Sequence, residues 1–226
     1  LSRLIAFDVD STLLRVESLD TAIEAALAGM PDSETTRGQL HAITQAGMTG
    51  KMALRESLEA RLSLASLDRD LIDSIAEILR QKITPGMKPL LASLRQNGDQ
   101  LHAISGGFRD LLDLVLGDLG FAVSERHANR FVFDGDLVCG LDRECPLSQN
   151  GGKADILRQI SGQAEQIVMV GDGMTDFEAF EQGAAHRFIG FGAIEARDVV
   201  IAAAEWAGAD YARTIDALAI ALRRQS

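Results

Sequence analysis

Cysteine, proline, aromatic residues and positive charge are all in short supply in this chain of 226 residues. Two cysteines, Cys139 and Cys145, cannot build a disulfide framework and have no zinc-site spacing, so a reduced, cytoplasmic setting is expected. Four prolines punctuate the sequence, and there is neither a low-complexity segment nor an internal repeat. Trp206 and Tyr211 are the single members of their types and are expected to pack the C-terminal helices. Lysine and arginine number 22 against 33 acids, a net charge of −11 that argues against a nucleic-acid or anionic-membrane partner. No apolar stretch is long enough to cross a bilayer, and Leu4–Phe7 is too short for the apolar region of a signal peptide.

The chain does have enough apolar residues, 46% of the total, to bury a proper core. An apolar run over Arg3 to Phe7 reads as a buried strand ending at Asp8. Four amphipathic helices are then expected: Glu17 to Ala28, Ser33 to Gln45, Arg55 to Leu64, and Asp68 to Gln81 with Asp68 as N-cap. After Thr84 the pattern alternates. A helix has Pro85 in its first turn and Gly98 past its end. A strand over Leu101 to Ile104 breaks at Ser105-Gly106-Gly107, and a helix runs from Phe108 to Leu116. A hairpin turns at Asp134-Gly135 in type I′ form. Helices over Lys153–Ile160 and Asp176–Gln182, strands over Ile167–Val170 and Arg187–Gly190, and two more helices complete the chain. These elements specify an α/β fold: a doubly wound parallel sheet with a Rossmann-like core, residues 1–14 and 81–226, and a small helical cap, residues 15–80, inserted after the first strand.

Chemistry concentrates at the carboxyl ends of the strands, where open α/β sheets bind ligands. Asp8-Val9-Asp10-Ser11-Thr12 places two carboxylates in spacing that repels unless a cation or proton intervenes. Val170-Gly171-Asp172-Gly173 offers another acid between glycines that let the backbone turn near a ligand. Such strand ends converge into a hard-oxygen site whose natural occupant is Mg2+. Ser105-Gly106-Gly107 presents a hydroxyl and backbone N–H groups to an anion, and Lys153 can place an ammonium against a phosphate oxygen. The pair Gly190-Phe191-Gly192 begins like a dinucleotide fingerprint, but Glu195 stands where the third glycine belongs, which excludes that site. The four histidines, His41, His102, His127 and His186, show no metal-ligand spacing and are expected to be structural.

The four pieces, in order, resemble the signature of haloacid-dehalogenase-type phosphatases over nearly the whole chain. With Glu17, Met48-Thr49-Gly50, Ser148 to Lys153 and Phe188 to Gly192, the resemblance narrows to phosphoserine phosphatases. It implies a magnesium-dependent phosphatase of a small phosphomonoester, L-phosphoserine, acting through an aspartyl-phosphate. The alternative is a phosphatase of another small ester, or a phosphotransferase that passes the group to a second alcohol.

On that resemblance Asp8 is the nucleophile and Asp10 the general acid and base, with Lys153 and Ser105 also catalytic. Asp8, the backbone carbonyl of Asp10, and Asp172 hold the metal, and Asp176 orients the lysine or a metal-bound water. Glu17 faces the substrate's amino group and Arg61 its carboxylate, while Met48, Gly106 and Thr175 join Ser105 and Lys153 around the substrate. The chain departs from the resemblance at Thr175, where many members carry asparagine, and at Leu54, where a large aromatic residue is common. A signalling receiver domain is excluded because its phosphorylated aspartate follows a middle strand in a chain half as long. A catalytically silent relative should have lost one of Asp8, Asp10, Lys153 or Asp172.

Overall fold

The strand β1 (Arg3–Phe7) is apolar at odd and even positions alike, and a strand of that kind is stable only where both faces are covered. The computed structural model, which describes residues 2–223, places β1 inside a sheet of six strands. The strand order is β3-β2-β1-β6-β7-β8, built from β2 (Gln100–Phe108), β3 (Arg126–Asn129), β6 (Gln166–Gly171), β7 (Arg187–Phe191) and β8 (Asp210–Ala212). Every pairing is parallel, with Phe7 opposite both Ala103 and Val170. Alternate β1 residues serve two apolar layers. Ile5 and Phe7 face one with Leu101, Val168 and Val170, and Leu4 and Ala6 face the other with Ile104, Met169 and Phe188. Burying each large side chain contributes about 1.5–3 kcal/mol, so this strand anchors the whole sheet.

Between β1 and β2 lie α1 (Ser18–Ala26), α2 (Ser33–Met48), α3 (Leu54–Leu62), α4 (Arg69–Leu79) and α5 (Met87–Gln96). The Asp68 side chain accepts a hydrogen bond from Leu71 N at 2.8 Å, as an N-cap does. Ile72, Ile75, Ala76 and Leu79 recur at helical spacing and are all buried, so α4 seats one face against α6 (Arg109–Asp118) and α1. The remaining helices are α7 (Gly152–Ile160), α8 (Met174–Glu181), α9 (Asp198–Ala207) and α10 (Ile215–Arg223). Leu218, Ala221 and Leu222 form the buried stripe of α10. Among the described residues, no helix is long and apolar enough to cross a membrane.

Several sequence expectations give way. Pro85 precedes α5 rather than entering it, because Gly86 caps the helix with φ +84°. Strand β2 continues through Ser105-Gly106-Gly107 to Phe108, with an irregular register against β3 in place of a break. The hairpin joins β4 (Phe131–Asp134) to β5 (Leu137–Leu141), but Asp134 pairs with Leu137, so its turn is Gly135-Asp136. Only Gly135 has positive φ there, and type I′ needs two such residues. Strands β3 and β8 were not expected, being too short for a period to register.

Trp206 does not pack into the core; it is 84% exposed on α9. Tyr211 belongs to β8, and its ring fills the space beside Gly190 and Gly192, where a built Cβ would come within 2.4 and 2.1 Å of it. Those glycines therefore serve a packing contact.

Three of the four histidines, His102, His127 and His186, make structural contacts, whereas His41 is exposed on α2. His186 Nδ1 accepts from Ile167 N at 2.9 Å. His102 Nδ1 and His127 Nε2 lie 3.0 Å apart, a contact that needs one donor and one acceptor and so disfavours two charged rings. Burial, then the His102 and Arg109 charges, hold His127 at about 4, and burial also lowers His102. The unfolded chain, near 6.5, binds more protons than the folded one between these limits, so this pair's contribution is lost as pH falls through that window. Replacing His127 with Gln should flatten the slope of thermal stability between pH 6.5 and 4. The expected difference is about 1–2 kcal/mol after screening at a half-buried position.

Candidate active site

Chain direction in a parallel sheet delivers β1, β2 and β6 to the same rim, and the acid-bearing turns leave from there. Beyond β1, residues Val9–Leu13 wind in a tight irregular turn in which Ser11 adopts φ 52°. Asp8 N donates to Val170 O at 2.8 Å, tying the turn to the end of β6. Asp8 and Asp10 are only 5% and 7% exposed. Lys153, in the first turn of α7, bridges two carboxylates: its Nζ is 2.7 Å from Asp8 Oδ1 and 2.6 Å from Asp176 Oδ1. Gly152 makes this possible, since a Cβ there would stand 2.0 Å from Pro146 O and push α7, with its lysine, out of place. Asp176 Oδ2 accepts from Gly173 N at 3.0 Å.

One oxygen from each of Asp8, Asp172 and Asp176 falls within 4.8 Å of the others, and all three residues are buried. Burial, then Asp8, raises Asp172, and burial raises Asp176 to about 7 against the opposing pull of Lys153. Carboxylates gathered in this way, all oxygen donors, fit a hard divalent cation, which would relieve the crowding that forces those shifts. Asp10 is also raised, by burial first and then by Glu17 and Asp8. Its Oδ2 accepts from Ser18 Oγ at 2.8 Å, and its Oδ1 has no hydrogen-bond partner among the described residues. Lys153 loses stability as a cation through burial, but Asp176 and Asp8 more than restore it, so it stays charged.

A cleft joins these groups to the helical block. Asp8, Asp10, Glu17, Met48, Arg61, Ser105, Gly106, Lys153 and Thr175 all line it, roofed by Leu19, Leu54 and Leu58. Ser105 Oγ accepts from Gly107 N at 2.9 Å, which leaves its hydroxyl hydrogen to donate. Glu17 Oε1 accepts from Ser11 Oγ at 2.8 Å, and burial, then Asp20, raises it to about 7 against Arg61. Arg61 is buried and donates from Nη1 to Asp20 Oδ1 at 3.1 Å. Asp172 is close to Asp8 but does not line the cleft itself, and Asp176 stands behind Lys153.

Three contributors escaped the sequence reading. Arg197, 4% exposed, donates from Nε to Asp172 Oδ2 at 3.0 Å and from Nη1 to Glu195 at 3.0 Å. Burial disfavours its charge, yet Asp172, Glu17 and Glu195 raise it overall. Asn129, fully buried at the end of β3, donates to Gly106 O at 2.8 Å and to Leu147 O at 3.0 Å, pinning the Ser105-Gly106 backbone. Ser18 holds Asp10, as above. Position past the carboxyl end of β7 was the one available signal for Arg197; nothing local marks Asn129 or Ser18.

Comparison with known proteins identifies the family. The model of the haloacid dehalogenase-like hydrolases matches residues 2–183. The chain is 31% identical to mouse phosphoserine phosphatase over 223 residues, covering 95% of this chain and 92% of the relative. It is 34% identical over 206 residues to the chloroplastic phosphoserine phosphatase of Arabidopsis thaliana, covering 89% and 67%. Among solved structures, a phosphoserine phosphohydrolase-like protein from Francisella tularensis superposes with TM-score 0.88 at 26% identity, covering 99% of this chain and all of that one. A substrate-bound phosphoserine phosphatase superposes with TM-score 0.77 at 26% identity, covering 95% and 94%.

Proposed function

This chain belongs to the haloacid dehalogenase-like hydrolases and is a phosphoric monoester hydrolase of the phosphoserine phosphatase type, and on that premise we propose that it hydrolyses L-phosphoserine with Mg2+ through an aspartyl-phosphate on Asp8. The observation that carries the reading is the cleft itself. A nucleophilic carboxylate, a second acid, a buried ammonium and a serine hydroxyl share it with one acid and one guanidinium suited to the amino and carboxylate ends of an amino acid.

Asp8 attacks phosphorus and the phosphoryl group moves to its carboxylate. Asp10 donates a proton to the leaving serine oxygen and later takes one from the attacking water. Its raised affinity for a proton suits both tasks, and such general acid help is worth about two to four powers of ten. Lys153 neutralises phosphoryl oxygens, and the Ser105 hydroxyl and Gly106 amide donate to them. Asp8, the Asp10 backbone carbonyl and Asp172 would hold Mg2+, which when bound supplies charge neutralisation for an anion attacking an anion. Asp176 keeps the Lys153 ammonium in line. The helices of residues 15–80 act as the cap that closes over the substrate, with residues 1–14 and 81–226 as the catalytic core, and closure excludes water from the reacting groups.

Phosphate release should be measured on L-phosphoserine, D-phosphoserine, phosphothreonine, sugar phosphates and nucleotides, with Mg2+ and after chelation. L-phosphoserine is expected to lead, and chelation to abolish turnover. Glu17→Gln and Arg61→Ala should each raise KM for L-phosphoserine by about ten- to a hundredfold, as loss of a charge-assisted contact does, and leave KM for a sugar phosphate little changed. A sugar phosphate preferred over phosphoserine would overturn the substrate while leaving the reaction class.

A further inference from the structure

Within the helical block, three helices meet around one carboxylate. Asp20 of α1 accepts from Thr44 Oγ1 of α2 at 2.6 Å through Oδ2, and from Arg61 Nη1 of α3 at 3.1 Å through Oδ1. The Arg61 side chain is 6% exposed and that of Asp20 15%, so the pair is largely withdrawn from water. Arg61 Nε donates to Ser57 O at 3.4 Å on its own helix. Those contacts use Nε and Nη1. Among the described residues Nη2 has no hydrogen bond, and Arg61 lines the cleft.

We propose that Asp20 is a positioning residue for substrate specificity: locked by Thr44, it grips one arm of the Arg61 guanidinium so that the free arm meets the carboxylate of the substrate. The proposal rests on the phosphoserine reading above. An arginine side chain has several rotatable bonds, and holding it in one rotamer before binding removes an ordering cost that the substrate would otherwise meet. Asp20 does not act as a substitute for the substrate carboxylate. Its other oxygen is committed to Thr44, so its place is set by the packing of α1 on α2, and the guanidinium fork has donors enough for two carboxylates. All three residues come from the helical block, so the grip is made between its own helices.

The test compares L-phosphoserine with phosphoethanolamine, which keeps the amine and the phosphoester and lacks the carboxylate. Asp20→Asn should raise KM for phosphoserine by about tenfold, the scale of a charge-assisted contact, with kcat moved by less than about twofold. KM for phosphoethanolamine should move by less than about twofold. Thr44→Val, which removes one hydrogen bond and no charge, should shift KM for phosphoserine in the same direction by a smaller factor, and it serves should Asp20→Asn fail to fold. Adding Asp20→Asn to Arg61→Ala should raise KM no further.

A lower or unchanged KM in both single variants, equal losses on the two substrates, or additive effects with Arg61→Ala would overturn the proposal. If Arg61→Ala is impaired on phosphoserine and the Asp20 and Thr44 variants are not, this inference alone fails. If the unmodified protein ignores phosphoserine, or Arg61→Ala leaves KM unaltered, the substrate reading fails and takes the inference with it.

Discussion

Replacing Asp8 with Asn should lower kcat by about four powers of ten or more, the scale seen when a covalent nucleophile is removed, or about 5 kcal/mol of barrier. The amide oxygen of Asn can still accept from Lys153 and occupies nearly the same volume, so the turn beyond β1 keeps its packing. What disappears is the anionic oxygen able to bond to phosphorus. Lys153 remains charged through Asp176 Oδ1, 2.6 Å away. Thermal unfolding of the variant should therefore lie close to the parent, and a phosphorylated protein trapped with acid from the parent should be absent from the variant. Turnover persisting near the parental rate would remove Asp8 from the mechanism.

Lys153→Met should be nearly as damaging to catalysis and far more damaging to the fold. The ammonium is the shared partner of Asp8 and Asp176, and removing one member of a buried ionic cluster costs about 3–5 kcal/mol because the others stay buried and uncompensated. The sign of the pH dependence follows from the same contacts. Asp176 already sits at about 7, raised by burial and held down by Lys153; without the lysine it rises further. The folded variant then binds protons more readily than the unfolded chain, whose aspartates titrate near 3.9, so its stability grows as pH falls through the folded value. The gap in melting temperature between variant and parent, measured in chelator, should be wider at pH 8 than at pH 6. A gap independent of pH would mean that the lysine acts through packing alone.

Much of the architecture is legible without coordinates because burial on both faces leaves a local trace. Leu4–Phe7 and Ile167–Val170 are continuous apolar runs, and Ile72, Ile75, Ala76 and Leu79 repeat at helical spacing. The chemistry is legible for a related reason: Asp8, Asp10, Asp172, Ser105 and Lys153 each stand beside the end of a recognisable strand or the start of a helix. Strands β3 and β8 leave no such trace, since four and three residues at the sheet's edges are too few to establish a period. Pro85 misled because the preference for Pro early in a helix competes with the αL cap that Gly86 provides.

By itself, then, the sequence determined the element types, the parallel α/β class, the supply of acids at strand ends and one lysine at the start of a helix. These follow from short-range periodicity and from the direction a parallel strand imposes on its terminus. Only the tertiary structure decided which charges touch. Arg197 reaches Asp172, Asp20 reaches Arg61, and Asn129 pins Gly106 across separations of 25, 41 and 23 residues. Contacts between distant segments depend on register and helix packing, and no local pattern encodes them, because the side chains are chosen for partners that exist only once the sheet has assembled.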